Sequence, residues 1–384
     1  MSAPATRASA AGAQAGASER RPAAPAEAQD ASAGRPQGDS QGQPQGHSQA
    51  QRATAPGARP KPVTMTKALN TALRDALAAD DSVVIFGEDV GRLGGVFRVT
   101  DGLRDEFGPE RVWDSPLAEA GIIGTAVGMA MAGMRPVVEM QFDAFSYPAF
   151  EQVVSHVAKM RNRTKGRVEL PLVIRIPVAG DIGGVEHHSD SSEAYWCATP
   201  GLTVVTPSNS ADAYSMLREA IDAQDPVIFM EPKSRYWSKD AIELPVRTES
   251  MYCARVVREG TDVTLLAYGP TVRTALETAE AGAQDGLSVE VIDLRSLSPF
   301  DDATVTASVR KTGRAAVLHE AAQFGGYGAE VAARVTERSF FHLAAPVLRI
   351  TGFDIPFPSP KLEEFHLPTP TRILDALETW EWEL

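Results

Sequence analysis

From Val63 onward, apolar positions recur at helical spacing. In VTMTKALNTALRDALAAD, Met65, Ala68, Leu69, Ala72, Leu73, Ala76 and Leu77 share one face, which predicts an amphipathic helix. The β-branched and aromatic run VVIFGED (83–89) then predicts a strand that stops at glycine and acids. AEAGIIGTAVGMAMAG (118–133) is apolar nearly all round and rich in small residues, the pattern of a deeply buried helix. PVVEMQF (136–142) reads as a strand and YPAFEQVVSHVAKMRNR (147–163) as one amphipathic helix. Strands at 170–178, 202–207 and 226–232, with a helix over 209–223, continue the alternation.

Residues 233–258 interrupt this rhythm with Lys, Arg, Trp and Pro and read as a linker with some extended structure. The alternation then restarts. Strands are expected at 264–269, 289–295, 315–321 and 347–353, and helices at 271–284, 301–311, 326–341 and 370–382. Apolar strands separated by helices imply parallel sheets covered on both faces. The fold class is therefore α/β, as two successive domains at 63–245 and 255–384. Residues 1–62 contain no Leu, Ile, Val, Phe, Tyr or Trp. Such a segment cannot offset its ordering entropy by burial, so a disordered low-complexity tail is expected there, without the apolar stretch of a signal peptide.

Charge changes the picture by exclusion. The 37 Lys and Arg stand against 50 Asp and Glu, a net charge of -13, which speaks against nucleic acid as a partner. No apolar run reaches the roughly 18 residues of a membrane helix, so no membrane association is expected. Cys197 and Cys253 lie far apart, which leaves neither a disulfide framework nor a thiolate zinc site and suits a reducing cytoplasm.

The stretch GGVEHHSDSSEAYW (183–196) is the obvious candidate for chemistry. Adjacent side chains on an extended segment point to opposite faces, so His187 and His188 are not expected to share a metal ion. The glycines of GRLGG (91–95) lack dinucleotide-binding spacing, and neither a phosphate loop nor a serine-hydrolase elbow is present. Glu119 enters an otherwise apolar helix. It is either a carboxylate favoured by the helix dipole or a functional acid kept in apolar surroundings.

Five segments, in order, settle these choices by resemblance: VVIFGEDVGRLGGVFRVTDGLRDEFG, DSPLAEAGIIGTAVGMAMAG, MQFDAFSYPAFEQV, GGVEHHSDSSEA and VIDLRSLSPFD. Together they resemble the beta subunit of the decarboxylating component of 2-oxoacid dehydrogenase complexes, thiamine-diphosphate enzymes of transketolase-like fold. The resemblance spans about residues 63–382. It implies that Glu119 hydrogen-bonds the cofactor's aminopyrimidine and favours the imino tautomer that takes a proton from the thiazolium. It places Leu117 and Phe145 around the pyrimidine ring, with Phe145 where related branched-chain enzymes carry tyrosine. Glu88 resembles an acid of the carboxylate network between active sites, although a strand-end acid without special role reads nearly as well. His188 matches the histidine that reaches the reacting centre and assists acylation of the lipoyl group. Ser189 shapes its loop, and His187 lies near the substrate carboxylate or in solvent.

The Gly-Asp-Gly…Asn motif that anchors diphosphate through magnesium is missing. GDI at 180–182 with Asn209 is the nearest match, and Asn209 reads as a helix N-cap. By resemblance an alpha subunit holds the magnesium and diphosphate in an alpha2beta2 heterotetramer. Beta subunits also self-associate there, and a lipoyl acyltransferase core docks. A backbone potassium site would fall near Leu170, Leu172, Val173, Ala220, Ala223 and Asp225. Ala223 and Asp225 depart from relatives there, which weakens that expectation. HHSDSSEA, FMEPKSRYW and LHEA resemble branched-chain enzymes, with Ser192 in a proline's place. Pyruvate and acetoin remain as alternative substrates, and a self-sufficient synthase or a non-catalytic scaffold as alternative roles.

Overall fold

The structure is a computed structural model that describes residues 61–380, so the expectation for the tail up to residue 60 lies outside the described residues. Pro62, expected to close that tail, instead opens strand β1 (Pro62–Thr64). Helix α1 (Met65–Ala79) follows directly, its start fixed by the Thr64 side chain, which accepts from the Lys67 N–H. The stripe from Met65 to Leu77 read from the sequence is the buried face. Next come β2 (Val83–Gly87), α2 (Leu103–Phe107), β3 (Val112–Asp114), α3 (Glu119–Met131) and β4 (Arg135–Glu139).

Where one helix was expected over 147–163, the chain breaks into four pieces. A 3₁₀ turn at 144–149 contains Pro148, and α4 (Phe150–Gln152), a π-helical stretch at 153–157 and α5 (Met160–Arg163) follow. Pro148 has no N–H to give a regular ladder, and a π-bulge adds a residue to the turn after it. Beyond β5 (Val173–Val178), the segment read as extended holds two short helices, α6 (Glu186–Ser189) and α7 (Glu193–Cys197). Then come β6 (Thr203–Val205), α8 (Ser210–Asp222), β7 (Val227–Pro232) and β8 (Lys239–Ala241), the last pairing antiparallel with β1. Asn209 caps α8 by accepting from the Asp212 N–H.

The second series runs β9 (Arg255–Arg258), β10 (Val263–Ala267), α9 (Thr271–Gln284), β11 (Val289–Asp293) and β12 (Ser296–Ser298). It ends with α10 (Asp302–Thr312), β13 (Ala315–Ala322), α11 (Gly328–Ser339), β14 (Leu348–Gly352), α12 (Glu363–His366) and α13 (Pro370–Glu378). Two main sheets result. The first has the order β12-β6-β7-β5-β4-β2-β3 and is parallel except for β12. The second has the order β14-β13-β10-β11-β9 and is parallel except for β9. Strand β12 belongs by sequence to the second series, yet it extends the first sheet and ties the two halves together.

Helix α3 departs from its expected deep burial. Ile122, Ile123, Ala126 and Ala130 are buried against the sheet side, whereas Gly121, Gly124, Gly128 and Met131 face outward. A Cβ added at Gly124 or Gly128 would meet nothing within 4 Å. The helix is apolar all round because both its faces call for packing, and this chain supplies neighbours for one. Among the described residues no helix is long and apolar enough to cross a membrane.

Candidate active site

In an open parallel sheet the carboxyl ends of the strands form the natural ligand crevice, because the loops diverge there. The sequence candidates gather at that edge of the first sheet. Glu88 follows β2, Glu119 lies just beyond β3, Phe145 follows β4, and His188 follows β5. Glu119 is half-buried at the first turn of α3, where the exposed N–H groups favour an anion. Glu88 is 7% exposed, and its Oε1 is buried without a hydrogen-bond partner. Burial, then the charges of Glu119 and Asp89, hold its carboxyl above the ordinary range, while the Ala118 N–H opposes the shift. Leu117, beside Glu119, is 82% exposed and offers an apolar surface that this chain leaves uncovered.

Gln141 connects this acid pair to the aromatic side of the crevice. Its amide donates to Asp89 Oδ2 at 2.9 Å, and Phe142 follows it in the chain. The Phe142 and Phe145 rings meet edge-on at 5.3 Å, and the His188 ring packs against both, at 4.6 and 5.3 Å. His188 Nδ1 is buried without a partner. Although Glu186–Ser189 is helical rather than extended, the two histidines still diverge: His187 is exposed and His188 turns onto the phenylalanines. Ser189 is fully buried, with its Oγ also unpartnered, and it crowds Gly184, where an added Cβ would come within 2.7 Å of that oxygen. An acid at a helix start, edge and face aromatic surfaces and orphaned polar atoms fit a flat nitrogen heterocycle such as an aminopyrimidine.

The histidine segment is held from below by acids from distant parts of the chain. Ala179 and Asp181 adopt left-handed backbone conformations, with φ of 71° and 61°. Such strain persists only where the surroundings over-determine it. Gly180 N–H donates to Glu320 at 2.8 Å, and the Asp181 and Gly183 N–H groups donate to Glu363 at 2.5 and 3.1 Å. Ser192 N–H donates to Asp143 at 2.8 Å, the Ser192 hydroxyl bonds the same carboxylate, and the Trp196 indole donates to that hydroxyl at 2.7 Å. A proline at position 192 would have neither the N–H nor the hydroxyl. Burial pushes Glu320 up to about 7. For Glu320 the one earlier signal was the LHEA resemblance, and Glu363 had none, because their contacts with this segment are made at sequence separations of 140 and more.

At the segment weighed for potassium, Leu170, Leu172, Val173 and Ala220 are buried. The Leu172 carbonyl accepts from Val227 N–H at 2.9 Å. The Arg135 guanidinium donates to the carbonyls of Ile221 and Ala223 at 2.9 and 3.1 Å, and Asp225 pairs with Arg161 at 3.0 Å. Part of that turn is thus held by fixed cationic side chains. Among the described residues no group of three or more His, Cys, Asp and Glu is arranged to hold a metal ion, and both cysteines are free.

Comparison with known proteins adds independent information. Residues 61–238 match the family model described as transketolase, pyrimidine binding domain, and residues 253–373 match transketolase, C-terminal domain. The chain is 54% identical to a pyruvate dehydrogenase E1 component subunit beta of Leifsonia xyli, over 84% of this chain and 96% of that protein. It is also 54% identical to a 3-methyl-2-oxobutanoate dehydrogenase subunit beta of Mycobacterium tuberculosis, over 82% of this chain and 91% of that protein. A 2-oxoisovalerate dehydrogenase subunit beta of Pseudomonas aeruginosa shares 44% identity over 81% and 93%. Among solved structures, a split gene transketolase, described as an inactive beta4 tetramer, superposes with a TM-score of 0.68. It covers 83% of this chain and 98% of that one, and at 23% identity it speaks to the fold alone.

Proposed function

The chain belongs to the family of beta subunits of the decarboxylating component of 2-oxoacid dehydrogenase complexes, and from that premise we propose that it acts on a branched-chain 2-oxoacid together with an alpha subunit. Thiamine diphosphate is the cofactor that this family implies. When bound, it supplies the electron sink for loss of carbon dioxide. Glu119 and Glu88 would hold its pyrimidine nitrogen edge, and Leu117, Phe145 and Phe142 its ring faces. The alpha subunit would hold the magnesium and diphosphate, in an alpha2beta2 assembly onto which a lipoyl acyltransferase core docks.

The residues of this chain divide the work by their surroundings. Glu119, at a helix N-terminus, presents an anionic acceptor without needing a cationic partner. Glu88 beside it resists ionisation, so a proton on that carboxyl persists at higher pH than on an exposed acid. His188, whose ring packs on the two phenylalanines at the crevice, is the residue of this chain read as meeting substrate or moving a proton. The outward face of α3 and the exposed Leu117 support a partner that closes the crevice and excludes water.

One observation carries the branched-chain reading. HHSDSSEA, FMEPKSRYW and LHEA all resemble branched-chain enzymes, and the buried Lys233 of the second stands within electrostatic reach of Asp190 of the first and Glu320 of the third. The test is co-expression with an alpha subunit, with lipoyl acylation measured on 3-methyl-2-oxobutanoate and on pyruvate. The expected kcat/KM is at least tenfold higher for the branched substrate, and the chain alone is inactive. A reversed ratio would favour the pyruvate reading, which the Leifsonia relative supports equally by identity. Turnover by the chain alone would overturn the shared-site reading.

A further inference from the structure

Lys233 lies in the turn after β7, at 0% exposure, and its Nζ makes no hydrogen bond. A buried ammonium with no acceptor persists only where opposite charges compensate for its lost hydration. Four carboxylates act on it: Asp143, Glu320, Asp190 and Glu363. They come from four separate parts of the chain, and each is tied to the same segment, residues 179–192. Glu320 accepts from Gly180, Glu363 from Asp181 and Gly183, and Asp143 from Ser192. Asp190 belongs to the segment; its carbonyl accepts from Ala179 N–H and its carboxylate from the Tyr147 hydroxyl. Asp143, Asp190 and Glu320 would each lose, without this lysine, a positive charge that helps their carboxyls ionise against the cost of burial.

We propose that Lys233 is a positioning residue for His188: its buried charge lets the carboxylates that grip residues 179–192 stand together, and so fixes the segment that carries the histidine. Burial opposes its charge and the carboxylates sustain it, while Asp143 and Glu320 are themselves pushed up by burial. The lysine and these two carboxylates each oppose, in one another, the shift toward the neutral form that burial imposes. On this reading Lys233 acts through the loop. The proposal takes from the proposed function only the role of His188. The attachment of the loop does not depend on which oxoacid is used.

The experiment uses the enzyme assembled with its alpha subunit and compares wild type, Lys233→Met and the double variant Lys233→Met/Glu320→Gln. Methionine keeps the apolar stem and removes the charge. The double variant also removes one opposing carboxylate, while glutamine can still accept from Gly180 N–H. Amide hydrogen exchange is read on peptides covering 179–192 and, as a control, on β10. In Lys233→Met, exchange over 179–192 is expected to accelerate at least tenfold with β10 unchanged, and kcat to fall at least tenfold. The double variant is expected to recover part of both losses. Unchanged protection over 179–192 would overturn the proposal, as would acceleration of the same size in β10 or a double variant worse than the single one. If Lys233→Met does not accumulate as folded protein, the double variant against wild type carries the same comparison. If the wild-type assembly turns over no 2-oxoacid, the proposed function fails, and the exchange data still decide the role of Lys233.

Discussion

Glu88 and Glu119 stand near enough at the carboxyl edge of the first sheet for the charge of Glu119 to hinder ionisation of Glu88, on top of the larger effect of burial. The folded chain therefore binds the Glu88 proton more tightly than the unfolded chain does. For such a group, stability is greatest below the ordinary value of 4.5 and is lost as pH rises through the interval up to the folded value. Glu88→Gln removes that loss. Its melting temperature is expected to exceed that of wild type near pH 8, and the two should converge near pH 4. Thermal scans at constant ionic strength decide this, and a variant less stable than wild type near pH 8 would contradict it.

A second carboxylate pair lies deeper and is bridged by an arginine. Arg175, wholly buried in β5, donates to Glu139 on β4 at 2.6 Å and to both oxygens of Glu231 on β7 at 2.7 and 2.8 Å. Tyr236 adds a hydrogen bond to Glu231 at 2.7 Å. Removing one partner from a buried ion pair costs about 3–5 kcal/mol, because the remaining charge stays unpaired. Arg175→Met is expected to lose that much in urea unfolding at neutral pH. Part of the deficit should return as pH falls, because burial already holds Glu139 above the ordinary carboxylate range and the loss of Arg175 removes the charge that opposes it.

The sequence made the scaffold readable wherever one period dominated. The α1 stripe and the apolar strands follow directly from burial on one face or on both. Helix α3 misled because the pattern reports that a surface is apolar, and does not say which chain covers it. The break at Pro148 carries a local signal that the helical spacing around it outweighed, whereas the helical turn at Glu186–Ser189 was hidden because local propensity there yields to packing. The gathering of Glu119, His188 and Phe145 at one crevice was legible through the order of five motifs, whereas the burial of Lys233 and the backbone contacts of Glu363 were not. Their roles arise from contacts across the fold, and a lone lysine or glutamate carries no local signal of such a role. Strand β12 crossed the expected boundary for the same reason, since its partner β6 lies some 90 residues earlier by the numbering.

Ser192 tests whether a departure from the family's proline matters locally. Its N–H and hydroxyl both serve Asp143, a buried acid that burial pushes upward, and its oxygen accepts from Trp196. Ser192→Ala keeps the backbone bond and loses the hydroxyl, at an expected cost of about 1–2 kcal/mol. Ser192→Pro loses both bonds and must also shift φ from -96° toward the proline value. It should be less stable than the alanine variant, by chemical denaturation. A proline variant as stable as wild type would mean that Asp143 finds its partners elsewhere.

His188 separates packing from chemistry, because the same ring does both. It fills space against Phe142 and Phe145 and also leaves Nδ1 buried without a partner. Phenylalanine at this position would keep the aromatic contacts and remove both nitrogens, whereas alanine would remove everything. If the ring only packs, His188→Phe should retain both stability and turnover. If a nitrogen serves substrate or proton transfer, His188→Phe should melt within a few degrees of wild type, while kcat falls by about 10²–10⁴, the range usual for a lost acid–base group. His187→Ala, at an exposed neighbouring position, should change kcat by less than about threefold, since exposed substitutions away from a site have small effects. Measuring kcat and melting temperature for the three variants in the assembled enzyme distinguishes the cases. Retained turnover in His188→Phe would remove the histidine from the chemistry and leave it as a wedge between the two phenylalanines.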